Sequence, residues 1–158
     1  MITSPNGRKF IEQEEESGIP KLKPYDDGTG TLTIGFGHTS SAGLPHVYPG
    51  MSITADEADA ILASDLASVE ADVNHHVTVE LANNQFDMLV SFDFNTGALD
   101  RSGLLQLINS GKASPLQIQQ AFEAWRYARV HGVLVPLLLG RRHREAAIYL
   151  GGYPNAQH

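Results

Sequence analysis

Between Leu22 and about Phe36 the chain runs through β-favouring residues that are interrupted once, by Asp26-Asp27-Gly28-Thr29-Gly30. Two glycines so close together supply the positive-φ positions that a tight reversal needs, so this stretch is predicted to fold as a small twisted hairpin. The sequence on either side is helical in pattern. The fold class expected is therefore α+β, with a small hairpin lobe, a mostly helical lobe and a long helix between them.

The helical pattern begins early. Ser4-Pro5-Asn6 offers a cap and a first-turn proline, and predicts a short helix to Glu16 that Gly18 and Pro20 stop. After the hairpin, residues 40–50 contain Gly43, Pro45, Pro49 and Gly50 and read as a loop. Thr54-Ala55-Asp56-Glu57 is a capping box, and Ala58, Ile61, Leu62, Leu66, Val69 and Val73 follow on one face of the longest helix. Asn83 or Asn84 caps a segment from Gln85 to Phe94 that is apolar on nearly every side, and Asn95-Thr96-Gly97 ends it. Residues 102–109 form a short helix closed by Gly111. Ser114-Pro115 opens another, with Ile118, Phe122 and Trp125 on one side as core. His131-Gly132 breaks the chain, a last helix runs from about Pro136 to Leu150, and a polar tail frays beyond Gly151-Gly152. One domain over residues 1–158 is expected, its hairpin lobe at about 18–50 and its helical lobe at about 54–152.

Composition narrows the function classes. With 158 residues and 42% hydrophobic content the chain can bury a core by itself, and with no cysteine it has neither disulfides nor thiolate metal sites. The seven histidines are dispersed, and no metal or other cofactor is expected. Gly35-Phe36-Gly37 lacks the third glycine and following helix of a dinucleotide site. The net charge of −7 divides unevenly: residues 1–100 carry 16 acidic and 4 basic side chains, residues 101–158 carry 2 and 7. Bulk acidity disfavours a nucleic-acid partner, because phosphate binding draws its affinity from clustered lysine and arginine. No segment approaches the roughly 18 apolar residues of a membrane span, and the polar N-terminus lacks the apolar core of a signal peptide.

The chemistry concentrates between Glu16 and Thr39. A carboxylate ends the first helix, aspartates sit on the glycine-rich hairpin, and Thr33 follows on the return strand. Hydrolysis of a glycosidic bond by direct displacement needs a neutral acid, an ionised carboxylate and a group that holds water. Taken singly these residues are ordinary: Glu12 to Glu16 reads as a solvated helix face, Asp26-Asp27-Gly28 as turn chemistry, Thr33 as a strand residue. Their order and spacing single them out.

Leu22-Lys-Pro-Tyr25-x-Asp27 with Thr33-Ile-Gly-Phe-Gly-His-Thr39 resembles the tyrosine-x-aspartate hairpin and threonine-isoleucine-glycine strand of the phage-type lysozymes, the endolysins of glycoside hydrolase family 24. Pro49-Gly50-Met-Ser-Ile-Thr54, Asn84-Gln85-Phe86-Asp87 through Asn95-x-Gly97, and Leu139-Gly140-Arg141-Arg142-x-Arg144-Glu145 follow in the family's order. The resemblance implies a muramidase that cleaves the β-1,4 bond between N-acetylmuramic acid and N-acetylglucosamine with inversion, using a glutamate, an aspartate and a threonine. The family spacing to Thr33 selects Asp27 over Asp26. For the acid, the family's glutamate-glycine pair has eight residues before the aspartate, whereas Glu16-Ser17-Gly18 precedes a two-residue extension. Glu16, the last acid before the breaker, is assigned, with Glu15 as runner-up and Glu14 third. His38, Gln85 and Asn95 complete the candidate set on the substrate side. His38 is expected to act as support for the carboxylates, and Gln85 and Asn95 either as buried spacers or as contacts to acetamido groups.

The resemblance further implies an enzyme monomer whose partner is the peptidoglycan glycan strand. It would be synthesised in a host cytoplasm and released to the periplasmic wall with the help of a holin. Two alternatives belong to other classes: a wall-binding module with little turnover, and a lytic transglycosylase, which uses one acid and leaves an anhydro-sugar.

Overall fold

The computed structural model describes residues 1–26, 28, 30–130 and 133–154. Asp27, Thr29, the His131-Gly132 break and the tail beyond Pro154 lie outside the described residues. The chain divides into two compact units, Arg8–Ser68 and Met1–Gly7 with Val69–His158. Both boundaries fall inside helices, so the division departs from the 18–50 and 54–152 read off the sequence.

In the first unit, helix α1 (Pro5–Glu16) supplies most of its length, its opening residues belonging to the other unit. It ends as the sequence expects. Ser17 and Gly18 take positive φ, and the Gly18 N–H donates to the Glu12 carbonyl at 3.0 Å, a six-residue closure that satisfies an end-of-helix acceptor. The chain then enters β1 (Lys21–Asp26), which pairs antiparallel with β2 (Leu32–Gly35). A third strand, β3 (His38–Thr39), pairs with β2, so the predicted hairpin is a three-stranded sheet of order β1-β2-β3. Only two residues of β3 pair, and Gly35 to Gly37 before it carry no alternating pattern, which is why it escapes a reading by periodicity.

The sheet is covered on its β2 side. Ile34 is fully buried and Gly35, at φ +66°, lies in contact range of Ala58 and Ile53. Helix α2 (Ala55–His76) starts at the expected capping box, with Glu57 N–H donating to Thr54 Oγ1 at 3.2 Å and Thr54 N–H to Glu57 Oε2 at 2.7 Å. Its Ala58, Leu62 and Leu66 are buried within this unit. The sheet thus shares its core with the first half of the long helix, which explains why the unit boundary falls at Ser68.

The second unit is helical. Helix α3 (Asn83–Thr96) buries every residue from Phe86 to Phe92. A 3₁₀ turn (Leu99–Arg101), α4 (Gly103–Ser110), α5 (Pro115–Glu123) and α6 (Leu139–Gly151) surround it. Ser102 caps α4, Gly111 closes it in the left-handed conformation, and Ser114 caps α5 through the Gln117 N–H. Phe122 is fully buried and Trp125 half-buried, each meeting Phe92 edge-on at 5.7 and 5.8 Å between centroids.

The structure corrects three expectations. Between α5 and α6 the chain forms a short antiparallel ribbon, β4 (Ala128–Val130) with β5 (Val133–Val135), and α6 begins at Leu139 rather than Pro136. Neither Asn83 nor Asn84 caps α3. The residue before the helix is Ala82, and Asn84 instead donates through Nδ2 to the Ile148 carbonyl at 2.8 Å, satisfying the end of α6. Nor does the chain fray directly beyond Gly152: the Tyr153 hydroxyl donates to Asp87 Oδ2 at 2.7 Å. The same carboxylate receives the Ser4 N–H at 2.8 Å and the Ser4 hydroxyl at 2.5 Å, so both chain ends are fastened to one buried residue of α3. Ser4 Oγ also accepts from Gly7 N–H, capping α1 as expected.

Candidate active site

The end of α1 and the sheet carry the candidate chemistry, all within one unit. Glu16 occupies the last turn of α1, its side chain 12% exposed. Both of its oxygens are engaged. Oε1 accepts from the Tyr25 hydroxyl, and Oε2 lies 3.7 Å from Lys21 Nζ. Glu15, one residue earlier and about 100° round the helix, reaches elsewhere. Its Oε2 would stand 3.6 Å from a Cβ placed on Gly37, in the turn between β2 and β3. Gly37 has φ +88°, a conformation that favours glycine, and the missing side chain leaves the backbone open to the carboxylate.

On the hairpin, Asp26 closes the turn. Its Oδ1 accepts from Gly28 N–H at 2.8 Å and Gly30 N–H at 3.0 Å, a side chain spent on shaping the loop. Asp27 lies outside the described residues. Thr33 is 4% exposed in β2, in register with Tyr25 on β1 and Thr39 on β3. Its hydroxyl lies 3.4 Å from the Thr31 carbonyl, beyond the usual O–H···O distance.

His38 is bound on both sides. Nε2 stands 2.8 Å from the Pro45 carbonyl, and since a carbonyl only accepts, that nitrogen carries the hydrogen. Nδ1 lies 2.8 Å from Asp65 Oδ2 on α2. Burial pushes the Asp65 carboxyl up from its ordinary value, against the pull of the imidazole. With 2% exposure and both nitrogens occupied, His38 braces the 40–50 loop against α2 and has no edge left for a sugar.

Gln85 and Asn95 belong to the helical unit and are likewise occupied. Gln85 Oε1 accepts from Ala82 N–H at 2.9 Å, acting as the cap that Ala82 cannot supply. Asn95 Oδ1 accepts from Arg142 Nη2. Arg142 in turn meets Glu145 Oε2 at 2.6 Å, and Arg141 and Ser91 meet Glu145 Oε1 at 3.0 and 2.7 Å. Arg141, Arg142, Glu145 and Ser91 are all buried. Burial pushes the Glu145 carboxyl up, opposed by the two guanidiniums and the Ser91 hydroxyl. Asn95 itself is half-buried, at the edge of this network. The arginine-glutamate network itself was visible only as a family motif, because a basic run on a helix ordinarily faces water.

The sequence profile described as phage lysozyme matches residues 14–145, which takes in the end of α1, the sheet and the arginine network. The chain belongs to the phage lysozyme family. A lysozyme is a glycoside hydrolase of peptidoglycan, and membership makes this chain one. The endolysin of Salmonella phage P22 is 36% identical over 150 residues, covering 95% of this chain and 99% of its own. Among solved structures, the endolysin from Escherichia coli O157:H7 phage FAHEc1 superimposes with a TM-score of 0.85 at 31% identity, covering 97% of this chain and 96% of its own. The muramidase domain of SpmX from Asticcacaulis excentricus gives 0.77 at 33%, covering 93% and 96%. As in other phage lysozymes the fold is α+β, and no helix among the described residues is long and apolar enough to cross a membrane.

Proposed function

We propose that this lysozyme hydrolyses the β-1,4 bond between N-acetylmuramic acid and N-acetylglucosamine with inversion, and that Glu15, rather than Glu16, is its general acid. The observation that carries this reading is the position of the Glu15 carboxylate against the Gly37 turn. That turn belongs to the Thr33 to Thr39 strand motif, whose backbone is opened by glycine. Glu16 is already gripped by Tyr25 and Lys21, and a carboxyl with both oxygens occupied is poorly disposed to give a proton to a leaving group. The place of Glu16 as the last acid before the helix breaker favours it in the sequence; helix phase favours Glu15.

In this mechanism Glu15 protonates the glycosidic oxygen. Asp27 orients a water on the opposite face of the sugar and stabilises the charge that develops at the anomeric carbon, and Thr33 Oγ holds the same water from a second side. The turn engagement of Asp26 supports the choice of Asp27. Synthesis in a host cytoplasm and action on the periplasmic wall, with a holin opening the way, complete the reading.

Purified peptidoglycan digested in H₂¹⁸O decides among the classes. Incorporation of one labelled oxygen per cleaved bond, with the α-anomer forming first by NMR, is the expected result. An unlabelled anhydro-muramyl product would establish a lytic transglycosylase, and binding without cleavage would establish the wall-binding module.

A further inference from the structure

Strand β1 pairs regularly with β2 at Tyr25↔Thr33 and Asp26↔Leu32, but between Lys21↔Gly35 and Tyr25↔Thr33 the register shifts. Four residues on β1 span what two span on β2. Such an irregularity re-aims a strand, and it needs something to hold it in one form. The stretch that leads into it, Ser17 to Pro20, begins with the only non-glycine residue at positive φ among the described residues and contains the two-residue extension. Here the Glu16 carboxylate spans the shift: one oxygen takes the Tyr25 hydroxyl on the far side, the other faces Lys21 Nζ on the near side. The Ile19 N–H donates to the Glu16 carbonyl at 3.0 Å, so side chain and backbone of one residue control both the exit from α1 and the entry to the sheet.

We propose that Glu16 is a positioning residue, whose carboxylate fixes the irregular step of β1 by holding Lys21 and Tyr25 and thereby sets Thr33, the register partner of Tyr25. Asp26, which follows Tyr25 on β1 and pairs with Leu32, is held by the same regular end of the strand. This inference rests on the reading of Glu15 as acid, and it explains why a second carboxylate stands beside it. A misplacement of a reacting group by about 1 Å costs up to about 100-fold in rate, so a clamp acting at one remove is expected to show in kcat rather than KM.

The test uses the full chain, purified peptidoglycan and initial rates of reducing-end release. Glu16→Ala and Tyr25→Phe are each expected to lower kcat about tenfold with KM within about twofold, and the double variant to be no slower than Glu16→Ala alone, because that change already removes the Tyr25 contact. Glu16→Gln keeps an oxygen that accepts from Tyr25 and is expected to recover most of the kcat lost in Glu16→Ala. Tyr25→Phe deletes only a hydroxyl and keeps the experiment interpretable should Glu16→Ala fold poorly. Wild-type kcat in Tyr25→Phe, or additive losses in the double variant, would overturn the clamp. A Glu16→Gln enzyme as inactive as Glu15→Gln would overturn it differently, by returning the acid to Glu16. If Glu15→Gln is active while the Glu16 and Tyr25 effects appear as described, the acid assignment fails and the clamp stands.

Discussion

Glu145 on α6 and Glu15 on α1 lie in helices of similar length and are both flanked by charged residues, yet their surroundings differ in kind. Glu145 is fully buried, and side chains meet both oxygens: Arg141 and Ser91 on one, Arg142 on the other. Glu15 is half-buried, and its Oε2 would stand 3.6 Å from a Cβ placed on Gly37 in the β2–β3 turn. A buried carboxylate surrounded by guanidiniums is a structural device, since water and substrate cannot reach it and its loss strands two cations. The difference lies in what occupies the remaining space, not in the residue type.

Exchanging the two acids one at a time sharpens that contrast. Glu15→Gln is expected to lower kcat on purified peptidoglycan about 10³-fold, within the range that general acid catalysis supplies, while the thermal midpoint stays near wild type. A Glu15→Gln enzyme of undiminished rate would remove the chemical half of the comparison.

Glu145→Ala should do the converse. It leaves Arg141 and Arg142 buried without their shared carboxylate, and breaking a buried pair of this kind costs about 3–5 kcal/mol. Urea unfolding monitored by circular dichroism measures the loss, and kcat of the fraction still folded is expected to remain close to wild type. A change below about 1 kcal/mol, the size of an exposed pair, would show that the network is not closed to water.

A third carboxylate, Asp87, tests whether fastening the chain ends follows the same logic on a smaller scale. It holds Ser4 twice and Tyr153 once, and a Cβ on Gly7 would overlap its side chain. Asp87→Ala is expected to destabilise by about 1–3 kcal/mol through the donors it leaves unpaired, and Tyr153→Phe by about 1 kcal/mol for a single bond. Hydrogen exchange should then locate the loosening at residues 3–7. Equal protection in wild type and Asp87→Ala would show that the N-terminal segment is held by other contacts.

Much of this fold was legible because local signals agreed. Ser4-Pro5, Thr54 to Glu57, Gly111 and Ser114-Pro115 each mark a helix end by a mechanism that needs no tertiary partner. What was not legible depends on partners distant in sequence. β3 is too short to alternate, and the β4-β5 ribbon lies where His131-Gly132 reads only as a break. The engagement of His38 by Asp65 and Pro45, and of Asn95 by Arg142, joins residues far apart in the chain. Which glutamate of α1 meets the Gly37 turn depends on helix phase, which spacing along the chain does not encode.

The smallest effect separates burial from pairing at a carboxylate that has the first but little of the second. Asp93 at the end of α3 accepts from Leu99 N–H at 3.0 Å, and no guanidinium is among the influences on its carboxyl. Burial pushes that carboxyl above its ordinary value of 3.8, with the negative charges of Asp72 and Asp100 adding to the rise and hydrogen bonds from Leu99 and Ala98 opposing it. A carboxyl whose folded value is raised holds its proton more tightly in the folded state. Its stabilising contribution is therefore complete below the unfolded value and is lost as pH rises through the folded one. Asparagine does not titrate and keeps an acceptor for Leu99. Asp93→Asn is accordingly expected to melt above wild type at neutral pH, the gap closing as pH falls toward 3.8. Scanning calorimetry across that range measures it, and a gap that widens at low pH would mean that the ionised Asp93 stabilises the fold.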